Sequence, residues 1–161
     1  MTQYELVGIG NAVVDVISHA DDQFLGNMGI EKGIMQLIER ERAEVLYGAM
    51  KDRLQTPGGS VANTVAGVGA LGLKTAFIGR VNDDTLGRFY ADAMTDVGTD
   101  FVNAPVAGGD LPTSRSMIFV SPDGERSMNT YLGISTDLGP ADVPDAVASA
   151  AKIMFLEGYL F

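Results

Sequence analysis

The sequence predicts an α/β fold, a largely parallel sheet flanked by helices, with a small extra β layer. Three observations carry this expectation. Apolar runs of strand length alternate with amphipathic segments of helix length, the pattern of strands joined by crossover helices. Two pairs of extended runs, 13–18 with 33–38 and 116–121 with 127–131, have no helix between their members and suit a separate antiparallel layer. The closing run Ile153-Met-Phe-Leu-Glu-Gly-Tyr-Leu-Phe161 reads as a core strand without a closing helix. Parallel strands are covered on both faces, so the chain is expected to be part of a longer one, the alternative being a C-terminal edge strand.

In chain order, Leu6 to Ile9 is a buried strand entering a turn at Gly8-Ile9-Gly10. Val13 to Ser18 is a second extended run with Asp15 in its middle, and Gly33 to Ile38 a third. Glu39 to Lys51 is helical, with Ala43, Leu46, Tyr47 and Met50 on one stripe. A Pro-Gly-Gly break leads into a helix of small residues, Ser60 to Leu71, with Ala62, Val65, Ala66 and Gly69 on one face. Gly67, Gly69 and Gly72 each cost a helix about 1 kcal/mol, a cost that makes sense if a sheet or ligand lies against it. Thr75 to Gly79 is another buried strand, and Asp84 caps a helix with the apolar face Leu86, Phe89, Tyr90, Ala93 and Val97. Ser116–Ser121 and Ser127–Tyr131 flank the hairpin turn Pro122-Asp123-Gly124-Glu125. Asp142 to Ala150 is a short helix, and Ile153 to Leu156 the last strand.

The 161 residues fit one ordinary domain with a real core, and 46% hydrophobic with 20% charged residues is a globular composition. Cysteine is absent, which excludes disulfides and thiolate metal sites. A formal charge of −10 disfavours nucleic acid and anionic membrane surfaces as partners, and leaves room for a local positive pocket that takes a small anionic substrate. The N-terminus lacks a secretory pattern and no run approaches the ~18 apolar residues of a membrane span, so a cytoplasmic location is expected.

Two glycine motifs are decoys. Gly8-x-Gly10 follows a strand, but the dinucleotide fingerprint needs glycine where Val13 stands and a helix directly after. Gly67 to Thr75 resembles a phosphate loop, yet Leu73 separates Gly72 from Lys74, and the segment closes a helix rather than opening one. His19, the single histidine, lies beside Asp21 and Asp22 and reads as a surface residue; no metal site is expected.

Asn11 and Asp15 are more informative. A carboxylate in an apolar run is costly unless it is paired. One reading is a turn Asn with an Asp facing solvent on an alternating strand; the other is a grip on vicinal hydroxyls, which amide and carboxylate together donate to and accept from. Gly58-Gly59-Ser60 opens a helix whose free N–H groups can meet an oxygen-rich ligand, and Asn63 lies one turn in. Both features fall at the carboxyl ends of predicted parallel strands, where open α/β sheets bind ligands.

Gly10-Asn11-x3-Asp15, then Gly58-Gly59-Ser60-x2-Asn63-Thr64, then Gly79-x3-Asp83-x3-Gly87 resembles the ribokinase (PfkB-type) carbohydrate kinase family over nearly the whole chain, most closely its adenosine kinase branch. The resemblance implies a ribokinase-like fold of which this is the N-terminal half. It places a β-sheet lid at 12–38 and 113–132 and an α/β body at 4–11, 39–112 and 133–161. It implies that Asp15 holds two sugar hydroxyls with Asn11 and Asn63, that Gly58, Gly59 and Ser60 approach the sugar, and that Tyr159 walls the pocket. Arg126 corresponds to a lid arginine that neutralises transferring phosphate, or is a solvated hairpin charge. Met35, Met117 and Phe119 are candidates to cover a base. Asp83 and Asp84 are loop and cap residues. Val61 and Ala12 depart from common family residues.

The activity implied is transfer of the ATP γ-phosphoryl group, with Mg²⁺, to a primary hydroxyl of a nucleoside or sugar, adenosine first. The alternatives are a ribokinase-, fructokinase- or ketodeoxygluconate-kinase-type sugar kinase, or a nucleoside- or sugar-binding domain without catalysis. The family's catalytic Asp lies in a Gly-Ala-Gly-Asp motif that these residues lack, so the base and the ATP site are not expected here; Gly108-Gly109-Asp110 is a superficial echo. A homodimer through the lid sheet, as in some family members, is a further implied partner.

Overall fold

A computed structural model describes residues 3–160. The elements are β1 (Tyr4–Ile9), β2 (Val13–His19), α1 (Asp22–Asn27), β3 (Met35–Leu37), α2 (Arg40–Ala49), β4 (Leu54–Gly58), α3 (Ser60–Ala70), β5 (Thr75–Ile78), α4 (Thr85–Asp96), β6 (Thr99–Phe101), β7 (Ser114–Val120), β8 (Arg126–Tyr131), α5 (Asp145–Ser149) and β9 (Ala151–Leu156). They form a four-stranded sheet of order β6-β5-β1-β9 and a five-stranded sheet of order β3-β8-β7-β2-β4. The first is wholly parallel, as the alternation of strands and helices requires. The second mixes parallel and antiparallel pairs.

The α/β body is set by close packing of α3 on β1. A Cβ on Gly8 would lie 2.4 Å from a Val65 methyl carbon, and one on Gly10 2.8 Å from Val61 Cβ. The glycines that permit the approach are thus mainly in the strand. Of the three in α3 and its end, Gly69 meets the sheet, since its Cβ would stand 2.7 Å from Thr99 Oγ1, whereas Gly67 faces open space. Gly72, at φ +89°, closes the helix. On the opposite face of the parallel sheet, Tyr4, Val7, Ala76 and Ile78 pack against Leu138, Val143 and Val147.

The pairing expected in the second layer is corrected. Val13–His19 does not pair with 33–38; it lies between β7, parallel, and β4, antiparallel. Val14 and Val16 are fully buried, and a long strand with such a buried face is better held with neighbours on both sides. The three-residue β3, with Met35 and Leu37 exposed, sits at the far edge beside β8. The segment 39–112 is likewise not all body. Its Leu54–Gly58 is the other edge of the second sheet, where Pro57 needs no ladder partner for a missing N–H. The helix α2 also packs on β7 and β8. Only the hairpin 116–121 with 127–131 pairs as expected.

Two further elements, α1 and β6, lie outside the sequence expectations. The first has a legible cap, Asp21, which accepts a 2.7 Å bond from Phe24 N. On α4 the buried face is Leu86, Tyr90 and Met94, with Val97 exposed at the helix end instead. Asp84 caps that helix as expected and also takes Thr113 N at 2.9 Å, tying the start of α4 to the entry of β7. The helix expected over 142–150 begins later, at Asp145, after a short 3₁₀ turn. Among the described residues no helix is long and apolar enough to cross a membrane.

Candidate functional site

The two sheets are joined where the chain crosses between them, and the crossings meet at the glycine pair. From β1 the chain passes through Gly10-Asn11-Ala12 into β2; from β4 it passes through Gly59 into α3. Gly59 sits at φ +101°, and a Cβ there would lie 2.3 Å from the Asn11 carbonyl oxygen, so no other residue fits. Gly58 lies against Asp15, where a Cβ would come within 2.6 Å of the carboxyl group. Beneath, the fully buried Tyr90 donates its hydroxyl to the Gly58 carbonyl at 2.9 Å. Burial, with the Asp15 charge beside it, holds the Tyr90 hydroxyl far above its ordinary pKa, so it remains a donor.

Above this junction lies a cavity of about 350 Å³. Asn11, Asp15, Gly59, Ser60 and Glu157 line it together with the apolar Ile9, Val13 and Val61; Ser116 and Thr130 follow on β7 and β8, with Met128 and Leu132 beside Thr130, and Met35 and Leu37 lie on the edge strand β3. The strand register explains the sequence of side chains. Asp15 pairs with Ser116, Ser116 with Thr130, and Thr130 with Leu37, so these four form a row across β2, β7, β8 and β3. At about 4.8 Å per strand the row runs from carboxylate through two hydroxyls to an apolar edge.

Asp15 is half-buried, and among the described residues no group donates a hydrogen bond to its carboxylate. Burial raises its pKa above the ordinary carboxylate value, and the charge of Arg126 offsets part of that rise. A partly desolvated carboxylate without a donor is a ready acceptor for ligand hydroxyls. Ser60 donates its hydroxyl to Glu157 Oε2, which places a second carboxylate at the same end.

Of the residues singled out in the sequence, Asn11, Asp15, Gly59, Ser60 and Tyr159 line the cavity, Tyr159 as an exposed rim. Gly58 lies below, against Asp15. Asn63 does not join them: it is exposed, one turn into α3. Arg126 is exposed at the start of β8, outside the lining, on the face it shares with Met128 and Thr130. Of the proposed base-covering residues only Met35 lines the cavity. Met117 and Phe119 are fully buried on the opposite face of the sheet, Phe119 against Phe24 at 5.4 Å, because β7 presents Ser116 and Ile118 to the cavity side instead.

Sequence reasoning missed Ser116, Thr130, Met128, Leu132, Leu37 and Glu157. The period of β8 carried a signal, since Arg126, Met128 and Thr130 alternate with the buried Ser127, Asn129 and Tyr131. Glu157, a carboxylate directly after the apolar run of β9, was open to the argument applied to Asp15, although β9 is an edge strand with Ile153 and Leu156 exposed. His19 is exposed, and Asp83 pairs with Arg88 at 2.6 Å. The segment Gly67–Thr75 closes α3 and leads into β5, and Gly108 lies in a turn. Among the described residues no three His, Cys, Asp or Glu side chains converge.

Similarities to known proteins bear on this geometry. The pfkB family carbohydrate kinase pattern matches residues 30–161. The guanosine-inosine kinase of Escherichia coli strain K12 is 25% identical over 96% of this chain and 37% of its own length. The crystal structure of adenosine kinase from Sinorhizobium meliloti superposes with a TM-score of 0.88 at 48% identity, covering 98% of this chain and 48% of that one. A probable sugar kinase protein from Rhizobium etli CFN 42 gives 0.88 and 48% over 99% of this chain and 48% of its own. The chain therefore spans about half the length of these structures and less of the curated relative.

Proposed function

The chain belongs to the pfkB family of carbohydrate kinases, and from that premise we propose that it supplies the acceptor-binding half of a cytoplasmic nucleoside kinase, with adenosine as the first substrate to test. One observation carries the reading: the half-buried, donor-less carboxylate of Asp15 opens a cavity whose opposite end is apolar. A ribose diol satisfies the carboxylate, and a heterocycle extends along the row toward Leu37, with Met35 and Met128 in the neighbouring register pair. A free sugar gripped at Asp15 ends before that apolar edge and leaves it unfilled. The adenosine kinase at 48% identity agrees with the nucleoside reading, and the probable sugar kinase at the same identity agrees with a sugar.

In this reading Asp15 and Asn11 bind the diol and thereby aim the primary hydroxyl, and positioning of that kind supplies much of the rate in phosphoryl transfer. The β3 and β7–β8 segments cover the ligand and exclude water as a competing acceptor. Arg126, on the cavity side of β8, is placed to offset negative charge near Asp15. ATP and Mg²⁺ are implied by the family alone. The test is calorimetric titration of the natural gene product with adenosine, ribose and fructose. Adenosine binding more tightly than either sugar is expected. Sugar binding without adenosine binding would instead identify a sugar kinase.

A further inference from the structure

The middle of the cavity carries a feature that the diol grip and the apolar edge do not use. Ser116 Oγ and Thr130 Oγ1 lie 2.8 Å apart and share one hydrogen bond that either can donate. Both line the cavity, on adjacent strands in direct register. They stand one and two strand spacings from Asp15, about 5 and 10 Å, where the edge of a base falls when its ribose is held at Asp15. Among the described residues they are the only lid-sheet hydroxyls in the cavity lining, since the remaining lining residues from β2, β3 and β8 are Val13, Asp15, Met35, Leu37 and Met128.

A hydroxyl carries one proton and two lone pairs. When Ser116 donates to Thr130, the Thr130 proton is free to point at the ligand while Ser116 offers it a lone pair. When Thr130 donates, the roles exchange. The pair therefore presents donor-then-acceptor or acceptor-then-donor to two adjacent atoms of a bound heterocycle, at the cost of two hydroxyl rotations. A 6-aminopurine edge offers a donor beside an acceptor ring nitrogen, and a 6-oxopurine edge offers an acceptor beside a ring N–H. The two patterns are inverse, and the pair matches both. A fixed amide, ammonium or carboxylate at this place would match one and leave an unpaired polar group against the other, the arrangement that gives strong discrimination.

Resting on the nucleoside reading above, we infer that this site accepts both 6-amino- and 6-oxopurine ribosides, and that the reversible Ser116–Thr130 hydrogen bond is the group that makes it tolerant. The experiment titrates the natural gene product with adenosine, inosine and purine riboside, the last having no exocyclic group, and repeats all three with Ser116→Ala/Thr130→Val. Both replacements suit a strand and keep its packing close to the original. In the wild type, adenosine and inosine bind within about 30-fold of each other, a gap that one or two net hydrogen bonds span. In the double variant both weaken by about ten-fold while purine riboside weakens by less than about three-fold. A larger gap between adenosine and inosine in the wild type overturns the inference and leaves the nucleoside reading standing. So does a double variant that weakens all three alike. If none of the three binds, the nucleoside reading itself fails and takes the inference with it.

Discussion

Replacing Asp15 by Asn separates what this residue does for the ligand from what it costs the fold. The carboxylate is half-buried against Gly58, has no donor among the described residues, and faces the cavity. Ligand hydroxyls that donate to it make charge-assisted bonds, each contributing about 1.5–3 kcal/mol. Asparagine fits the same space but keeps one uncharged acceptor, so adenosine should bind about ten- to 150-fold more weakly. Stability should move the other way. Burial lifts the folded-state pKa of Asp15 above its unfolded value, only partly offset by Arg126. Between those two values the folded chain holds a proton that the unfolded chain has released, so stability falls as pH rises through the window and stays lower above it. The uncharged amide carries no such penalty. The Asp15→Asn variant should therefore melt higher than the wild type at neutral pH, and the difference should close on acidification below the ordinary carboxylate range. Wild-type affinity should fall as pH drops through the raised pKa, while the variant's affinity stays flat. Calorimetry and thermal melts over a pH series check both. Affinity within about two-fold of wild type, less than a single net hydrogen bond provides, removes Asp15 from the site. A lower melting temperature at neutral pH refutes the electrostatic account.

Two further substitutions test the junction beneath the site. Gly59→Ala forces a side chain into φ +101° and a Cβ to 2.3 Å from Asn11 O; the backbone strain alone is of order 1–3 kcal/mol, and a melt unchanged from wild type would show that the crossings can part freely. Tyr90→Phe removes the donor to the buried Gly58 carbonyl and should lower stability in urea by about 1–3 kcal/mol, the cost of an unsatisfied acceptor. No change in the urea midpoint would mean that the carbonyl finds another partner.

Much of the body was legible because its signals are local. Apolar runs of strand length, the Asp84 cap and the Pro122–Glu125 turn each depend on a few consecutive residues, and each element is present. The second sheet was not legible in the same way. Its hairpin was, since the turn dictates the pairing. The neighbours of Val13–His19 come from residues 54–58 and 114–120, and nothing near 13–19 specifies them. Leu54–Gly58 was hidden inside what reads as a glycine break, because an edge strand needs little β-propensity when a proline and a glycine end it. Met117 and Phe119 stayed mere candidates for a related reason: period 2 tells which residues share a face, and only packing tells which face looks at the cavity.

Asn11, Asp15 and the Gly58–Gly59 pair were legible as candidates in the sequence itself, because steric demand at a glycine and the cost of a carboxylate in an apolar run are properties of single positions. That Asn63 stands aside, that Glu157 joins Ser60, and that Ser116 and Thr130 continue the line from Asp15 were decided by the tertiary structure alone. Register between strands about 100 residues apart is a collective result of burying both sheets at once, and no window of sequence contains it.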